Sequence, residues 1–296
     1  MHLLCRPRYR EGVPFRNSSV VVFSDVDWPV AHSFESGILK AAKTLEQLRA
    51  SDVALVLFSG KTRAELEFIR DRLAISDPFI CENGAAVIIP RGYFGWDLPN
   101  SREIAGYQAF EFGQPYVDVV GALRRTAGRL KLGVMGFADM SIDEVARECD
   151  IPLMQARLAK LRDYSELFRL VSGDVLARRR LLAALQMARL DCTPGYAFDA
   201  VGARVDRKLG VNLLTNLFRR EVGEFWTVTM PGAFQQDNLF DMADHHFAKG
   251  VSSCAPSDAL SWAERIVSAV RHVREANAGT LAAASGGRRS LLRRRC

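Results

Sequence analysis

A short, almost uninterrupted apolar run near residue 20 most constrains the fold of this chain. Residues 19–24 read SVVVFS and are rich in β-branched side chains. A strand that is apolar on both faces has to be covered on both sides, as the central strands of parallel sheets are. The run ends at Asp25, so the residues that follow are expected at the carboxyl edge of such a sheet.

The next segments alternate between helical and strand patterns. Residues 35–50 place apolar side chains on one helical face, and residues 53–58 (VALVLF) form a second buried strand. Strand, helix and strand make a right-handed βαβ unit. A helix is predicted over 62–74, where Thr62 caps and Glu65 completes a capping box. With further strands near 78–81 and 85–89, the pattern predicts an open, doubly wound parallel sheet.

From about residue 92 the pattern changes to longer helices separated by short strands, and after residue 203 the earlier alternation resumes. The predicted helices are 115–131, 141–148, 153–161, 174–188, 209–220 and 257–275, and the predicted strands are 166–171, 196–201 and 225–230. The fold class is therefore α/β, with a cap domain inserted into a core. The predicted divisions are core 18–91, cap 92–203, core 204–276 and a flexible basic tail 277–296.

Composition excludes several functional classes. The six cysteines among the 296 residues form no CxxC pair, which argues against a disulfide framework or a zinc site and favours reduced thiols in a cytoplasmic protein. No run approaches the roughly 20 apolar residues of a membrane helix, and the N-terminus lacks the apolar core of a signal peptide. Part of the net charge of +6 lies in the terminal arginines, so neither nucleic acid nor a membrane is expected as a partner. The sequence leaves the oligomeric state open.

Two carboxylates, Asp25 and Asp27, follow the first buried strand one residue apart. An aspartate at a strand end can accept a phosphoryl group, and a second acid can protonate the leaving alcohol and then activate water. A polar turn that closes the strand explains the same three residues equally well.

The second buried strand ends at Ser59 and Gly60, directly before a helix start. A hydroxyl and backbone N–H groups at this place can bind a phosphate, and Lys61 and Arg63 add positive charge. The alternative is an ordinary N-cap in which Ser59 or Thr62 satisfies the helix donors. Similar polar features at the ends of consecutive strands favour the phosphate site.

Six segments occur in the order found in mannosyl-3-phosphoglycerate phosphatases of the haloacid dehalogenase superfamily: DVD, FSGKTRAE, PFICENGAAVIIP, GFADMS, LAKLRDYSE and DRKLG. The chain resembles this family over roughly residues 19–275. The resemblance implies a Rossmann-like core with a mixed α/β cap. It also implies hydrolysis of mannosyl-3-phosphoglycerate with Mg²⁺, the step that yields mannosylglycerate.

The resemblance assigns roles to the residues of the core. Asp25 is expected to be the nucleophile and Asp27 the general acid/base, with Ser59 and Gly60 binding the phosphoryl oxygens. Lys208, directly before a helix, matches the lysine that neutralises charge during transfer. Without the resemblance, a solvated lysine at a helix start is the simpler interpretation of Lys208.

In the cap, Lys160, Arg162 and Glu166 match a family segment that faces the crevice, where they would contact the glycerate and the sugar. A charge cluster on a solvated face is the alternative. Leu167 replaces a proline of the family pattern. Residues 82–84 (ENG) match a turn that leads into the cap and is expected to be structural.

The segment that supplies a metal ligand departs from the family. Where the family has GDSPND, residues 232–237 read GAFQQD, so Ala233 replaces an acid that normally binds Mg²⁺ directly. The predicted metal ligands are Asp25, Asp27 and Asp237. In the first segment, Trp28 and Pro29 replace a glycine and a threonine, and proline has no N–H to donate.

These observations support two functions. The first is a phosphatase that hydrolyses mannosyl-3-phosphoglycerate or a related phosphorylated sugar or glycosyl glycerate through an aspartyl phosphate at Asp25. The second is a pseudoenzyme that keeps the fold and binds a phosphorylated metabolite or a partner protein without turnover. Retention of both aspartates, Ser59 and Lys208 favours the first.

Overall fold

The computed structural model describes a large part of the chain. The described residues are 20–26, 34–49, 53–171, 175–195, 197–230, 245–246 and 259–292. The strands are β1 Val20–Asp25, β2 Ala54–Phe58, β3 Phe79–Cys81, β4 Ala86–Pro90, β5 Arg102–Ile104, β6 Tyr107–Glu111, β7 Val134–Gly136, β8 Ser165–Leu170, β9 Leu190–Thr193, β10 Asp199–Ala203, β11 Trp226–Met230 and β12 His245–His246. The helices are α1 Phe34–Arg49, α2 Arg63–Leu73, α3 Tyr116–Arg129, α4 Ile142–Cys149, α5 Leu153–Ala159, α6 Val175–Met187, α7 Lys208–Val222 and α8 Ala259–Leu292.

These strands form two sheets. The first has the order β12-β11-β1-β2-β3-β4-β6-β5, parallel from β12 to β3 and antiparallel beyond it. The second is antiparallel, with the order β7-β8-β10-β9. Every residue of β1 and β2 is buried, because apolar clusters cover both faces of the first sheet. The predicted doubly wound α/β core with an additional mixed α/β unit is confirmed.

Helices cover the two faces of the first sheet as the sequence pattern requires. Side chains of α1, α2 and α8 pack on one face, with Ile38, Leu66 and Trp262 among the most buried. On the other face α7 contributes Leu214 and Phe218. Because β1, β2 and β3 are parallel neighbours, their carboxyl ends lie at one edge of the sheet.

The ends of two predicted segments differ from the structure. Strands β5 and β6 lie within the predicted cap 92–203 but pair with the first sheet, so the chain leaves that sheet only after Glu111. These strands are short and exposed in part, and their composition gave no strand signal. Helix α8 continues to Leu292, so most of the segment predicted as a flexible tail is helical.

The predicted capping box at α2 is confirmed. The Glu65 N–H donates to Thr62 Oγ1 at 3.1 Å, and the Thr62 N–H donates to Glu65 Oε2 at 2.8 Å. The Thr62 hydroxyl also donates to the carbonyl of Leu158, at the end of α5. The start of α2 therefore directly contacts the second unit, by which we mean the second sheet and helices α3 to α6. Across the described residues, no helix combines the length and apolar character needed to cross a membrane.

A buried carboxyl group lies near the starts of β2 and β3, at the ends opposite to Ser59 and Glu82. Asp77, which precedes β3, accepts the Leu55 N–H at 2.9 Å and the Tyr93 hydroxyl at 2.8 Å. Burial raises the pKa of Asp77 from 3.8 to about 6, against the opposing effect of these hydrogen bonds and of Arg70. The folded protein therefore binds this proton more tightly than the unfolded chain does.

The raised pKa of Asp77 predicts a pH-dependent stability. The carboxyl favours folding most below about pH 3.8, and its contribution falls by roughly 3 kcal/mol as the pH rises to about 6. An Asp77→Asn variant has no carboxyl group at this position and therefore does not lose this stability. As the pH rises from 4 to 6.5, the unfolding free energy of the variant should increase relative to that of the unaltered protein. Urea unfolding across that range measures the difference. The exposed Asp97→Asn is the control, and a pH-independent difference for Asp77→Asn would contradict the assignment.

Trp262 of α8 fixes the end of β1. Its indole Nε1–H donates to Ser24 Oγ at 2.8 Å and to the main-chain oxygen of Asp25 at 3.0 Å, and the ring is 1% exposed. The Ser24 hydroxyl donates to the same oxygen of Asp25. A helix more than 230 residues later in the chain thus holds the backbone that presents Asp25.

Replacing Trp262 should therefore destabilise the protein. Trp262→Phe keeps most of the ring but leaves two buried acceptors without this donor, which costs about 1–3 kcal/mol. Urea unfolding measures the loss. Trp226→Phe, at a tryptophan that is 40% exposed, is the matched control and should change the unfolding free energy by less than about 1 kcal/mol.

Candidate active site

The carboxyl ends of β1, β2 and β3 place three polar residues at the same edge of the first sheet. Asp25 ends β1 and is paired in register with Phe58, so Ser59 follows directly beside it. Phe58 is in turn paired with Ile80, two residues before Glu82. In an open parallel sheet this edge is where ligands bind. The structure therefore brings together Asp25 and Ser59, which the sequence had placed at separate strand ends.

Asp25 is buried, with only 5% of its surface exposed. Its backbone is held by Trp262, and the next residue, Val26, is packed in the core. The other predicted carboxylates, Asp27 and Asp237, lie outside the described residues, as do Trp28, Pro29 and Ala233. The predicted roles of these residues stay predictions.

The three carbonyls of residues 59–61 are each held by a hydrogen bond. The Asn83 N–H donates to Ser59 O at 3.0 Å, and the Glu82 N–H donates to Lys61 O at 3.0 Å. Between them, Arg162 Nη2 donates to Gly60 O at 2.9 Å. The Lys61 N–H donates to Ser59 Oγ at 3.0 Å. We call residues 59–61 the Ser59 loop. Its three carbonyls are held by the N–H groups of Asn83 and Glu82 and by the side chain of Arg162.

The side chain of Asn83 lies close against Gly60 in this loop. A Cβ on Gly60 would stand 3.2 Å from both the oxygen and the nitrogen of the Asn83 amide. Asn83 itself has a left-handed backbone, with φ of 59°. The predicted ENG turn thus packs directly onto the predicted phosphate-binding residues.

A cavity of about 630 Å³ lies between the first sheet and the second. The ENG turn and the start of α7 line one side, and β9 and β10 line the other. Lys208, the first residue of α7, is half-buried in this lining, and its N–H donates to Asp206 Oδ1 at 2.9 Å. In the described part of the chain its ammonium group has no hydrogen-bond or ion-pair partner. The described lining contains Lys208 but neither Asp25 nor Ser59, and Asn83 connects the cavity to the Ser59 loop.

Two of the three predicted cap residues bind protein groups in the second unit. Lys160 Nζ donates to the carbonyls of Phe137 and Met140. The buried Glu166 carboxylate accepts the N–H groups of Phe137, at 2.7 Å, and of Ala138, and also the Tyr116 hydroxyl. Burial raises the pKa of Glu166, with these hydrogen bonds opposing it. Both residues hold the helical turn Phe137–Asp139; contact with a substrate stays a prediction.

The third cap residue, Arg162, reaches into the first sheet. Besides Gly60 O, its guanidinium donates to Ser165 O at 2.8 Å and lies 3.6 Å from Glu82 Oε2. The side chains of Arg162 and Glu82 are 1% and 0% exposed. Its predicted contact with the glycerate or the sugar also stays a prediction.

Glu82 is a residue whose role sequence reasoning underestimated. Its carboxylate accepts the Asp163 N–H at 2.8 Å, the Tyr164 N–H at 3.1 Å and the Ser165 hydroxyl at 2.6 Å. The signal for this role in the sequence was a charged residue directly after a buried strand. Trp262 was missed as well, because its partners Ser24 and Asp25 are distant in sequence.

A divalent cation at this edge of the sheet would need several oxygen ligands. The described residues contain no group of three His, Cys, Asp or Glu side chains that could hold a metal. Asp25 supplies one hard carboxylate at the right edge, and β11 runs parallel to β1 with Met230 beside Ser24. The carboxylate of Asp25 fits an oxygen-ligated cation such as Mg²⁺, and the other two predicted ligands, Asp27 and Asp237, lie outside the described residues.

The chain is similar in sequence to known phosphatases. No family model matches the chain. A glucosyl-3-phosphoglycerate/mannosyl-3-phosphoglycerate phosphatase of Methanococcoides burtonii is 30% identical over 210 residues, which cover 71% of this chain and 77% of the relative. The protein of the same description from Persephonella marina is 30% identical over 206 residues (69% and 75%). A mannosyl-3-phosphoglycerate phosphatase of Pyrococcus furiosus is 27% identical over 230 residues (78% and 90%).

Two solved structures share the fold at low identity. A Thermoplasma acidophilum protein superposes with a TM-score of 0.51 at 13% identity, covering 86% of this chain and 98% of its own. A haloacid dehalogenase-like hydrolase of Bacteroides thetaiotaomicron gives a TM-score of 0.50 at 14% identity, with 77% and 93% covered. The chain shares its fold with that haloacid dehalogenase-like hydrolase, and its sequence relatives show that it belongs to the glucosyl-3-phosphoglycerate/mannosyl-3-phosphoglycerate phosphatases, which are phosphoric monoester hydrolases.

Proposed function

We propose that this phosphatase hydrolyses mannosyl-3-phosphoglycerate or its glucosyl counterpart through an aspartyl phosphate on Asp25. One observation carries the proposal: a buried aspartate ends the central strand β1 beside the Ser59 loop, at the ligand-binding edge of the sheet. The names of the relatives that are 30% identical supply the substrate class.

The reaction needs a nucleophile, a general acid and groups that stabilise the negative charge on the phosphoryl oxygens. An Asp25 carboxylate oxygen attacks phosphorus, the bond from phosphorus to the alcohol oxygen breaks, and that oxygen takes a proton from Asp27. Water then attacks phosphorus, Asp27 receives the proton of the water, and inorganic phosphate leaves Asp25. Ser59 and Lys208 would stabilise the charge on the phosphoryl oxygens during both steps.

Magnesium fits this proposal as the cofactor. Asp25, Asp27 and Asp237 would hold it through oxygen atoms. When bound, the ion would compensate the negative charge of the phosphoryl group. The alanine at position 233 leaves one acid fewer than the family pattern, so we expect weak metal binding.

The cavity suits the rest of a glycosyl phosphoglycerate. A volume of about 630 Å³ is within the range of small-molecule sites. Beside Lys208, its lining includes Arg207, which can attract the glycerate carboxylate, and Asn83 and Gln186, which can bind sugar hydroxyls. Both cations lie at the start of α7, where the helix dipole also favours an anion.

The nucleophile assignment predicts that Asp25→Asn abolishes phosphate release from mannosyl-3-phosphoglycerate in the presence of Mg²⁺. The amide keeps the size of the side chain but is too weak a nucleophile to form the intermediate. Release of inorganic phosphate measures the effect, and the exposed Asp71→Asn is the control, with activity expected to be unchanged. Activity retained by Asp25→Asn would show that another residue is the nucleophile.

The missing acid gives a second prediction. Ala233→Asp should tighten Mg²⁺ binding on the order of tenfold, equivalent to ~1.4 kcal/mol, because a hard cation gains an anionic oxygen. Calorimetric titration with Mg²⁺ measures the affinity without relying on turnover. Gln235→Asp adds the same charge two residues later and serves as the control. Equal affinities for Ala233→Asp and the unaltered protein would remove position 233 from the metal site.

The second candidate function is a pseudoenzyme, favoured by Trp28, Pro29 and Ala233 in place of the family residues. It predicts that the protein binds a phosphorylated metabolite without releasing phosphate. Calorimetry with mannosyl-3-phosphoglycerate beside the release assay separates the two functions.

A further inference from the structure

A single peptide group separates the buried arginine of the second unit from the predicted phosphate-binding serine. Arg162 Nη2 donates to the carbonyl of Gly60 at 2.9 Å. The N–H on the other side of the same peptide belongs to Lys61 and donates to Ser59 Oγ at 3.0 Å. Arg162 and Ser59 thus contact opposite sides of the Gly60–Lys61 peptide.

A peptide group transmits orientation because it is planar. Its C=O and N–H point in opposite directions within one plane, so fixing the carbonyl also fixes the N–H. If the Gly60 carbonyl turns away from Arg162, the Lys61 N–H turns away from Ser59 Oγ. The Ser59 hydroxyl then loses this donor.

The neighbouring peptides are held in a different way. Backbone N–H groups of the ENG turn, which belongs to the first sheet's own loops, fix the carbonyls of Ser59 and Lys61. The middle carbonyl instead accepts a hydrogen bond from a side chain, which belongs to a residue 102 positions later. Flexible glycine at this position makes the peptide dependent on that bond.

Arg162 is itself held rigidly. Its guanidinium donates to Ser165 O and Oγ and faces the Glu82 carboxylate. With 1% of its side chain exposed, the guanidinium is shielded from water that would compete for the Gly60 carbonyl. The planar fork of an arginine can make these bonds at once, which a lysine cannot.

From these contacts we infer that Arg162 is a positioning residue, which orients Ser59 for phosphate through the Gly60–Lys61 peptide. The inference rests on the proposed function insofar as Ser59 binds phosphate. It differs from the role expected from the sequence, since a contact with glycerate or sugar would affect only substrates that carry those groups.

The test compares Arg162→Gln with a matched control. Arg169→Gln breaks another arginine–carboxylate pair, that with Glu148 at 2.7 Å, away from the Ser59 loop. Inorganic phosphate is titrated calorimetrically into each variant, and kcat and KM are measured on mannosyl-3-phosphoglycerate and on p-nitrophenyl phosphate, which has neither glycerate nor sugar.

For Arg162→Gln, phosphate binding should weaken at least about tenfold, and kcat should fall by a similar factor on both esters. Arg169→Gln should bind and turn over as the unaltered protein does. Arg162→Lys, which keeps one donor, should recover part of the phosphate affinity.

Loss of the arginine leaves the buried Glu82 carboxylate without its charged partner. The double variant Glu82→Gln/Arg162→Gln, which removes both charges, is therefore measured beside the single variant. This double variant should bind phosphate as weakly as Arg162→Gln does. Unchanged phosphate affinity in folded variants, or a loss confined to mannosyl-3-phosphoglycerate, would overturn the inference. If the unaltered protein binds phosphate but hydrolyses neither ester, the proposed function fails while the binding comparison still decides the role of Arg162.

Discussion

The fully buried carboxylate of Glu82 must be neutralised inside the protein, and the groups that neutralise it join the two sheets. Burying an unpaired charge is strongly unfavourable, so Glu82 depends on Arg162 and on donors from Asp163, Tyr164 and Ser165. All four partners lie in the short segment that leads into β8. Glu82 itself directly follows β3. The carboxylate therefore fixes this segment against the edge of the sheet where Asp25 and Ser59 lie.

Close packing reinforces this attachment. Gly113 lies on the connection from β6 to α3, and a Cβ there would stand 2.8 Å from Tyr164 Cβ and 2.9 Å from Ala85 Cβ. The Tyr164 hydroxyl also donates to Glu111, at the end of β6. Polar bonds and steric contact thus hold the same segment from both sides. A rotation of the second sheet that moved this segment would have to break buried hydrogen bonds and leave the Glu82 carboxylate without a partner. The segment therefore holds the Ser59 loop in a fixed position.

Much of the fold could be predicted because its elements have strong local patterns. The apolar runs at β1 and β2, the capping box of Thr62 and Glu65, and the periodicity of α3 to α7 depend only on nearby residues. Strands β5, β6, β7 and β9 were not recognised, since they have three to five residues and half-exposed faces. Their conformation is set by pairing with partners such as β4 and β10, which a local pattern does not contain.

The site shows the same division between local and long-range information. Topology places Asp25 and Ser59 at one sheet edge, because a residue at the carboxyl end of a parallel strand has little freedom of position. The partners of long side chains are another matter: Lys160, Arg162 and Glu166 have charges that suit a substrate and suit buried backbone groups equally well. Only the packing of Phe137, Gly60 and Glu82 around them decides which groups they bind. The charge of a residue in a family segment therefore does not by itself show whether the residue binds a substrate or holds the backbone beside the site.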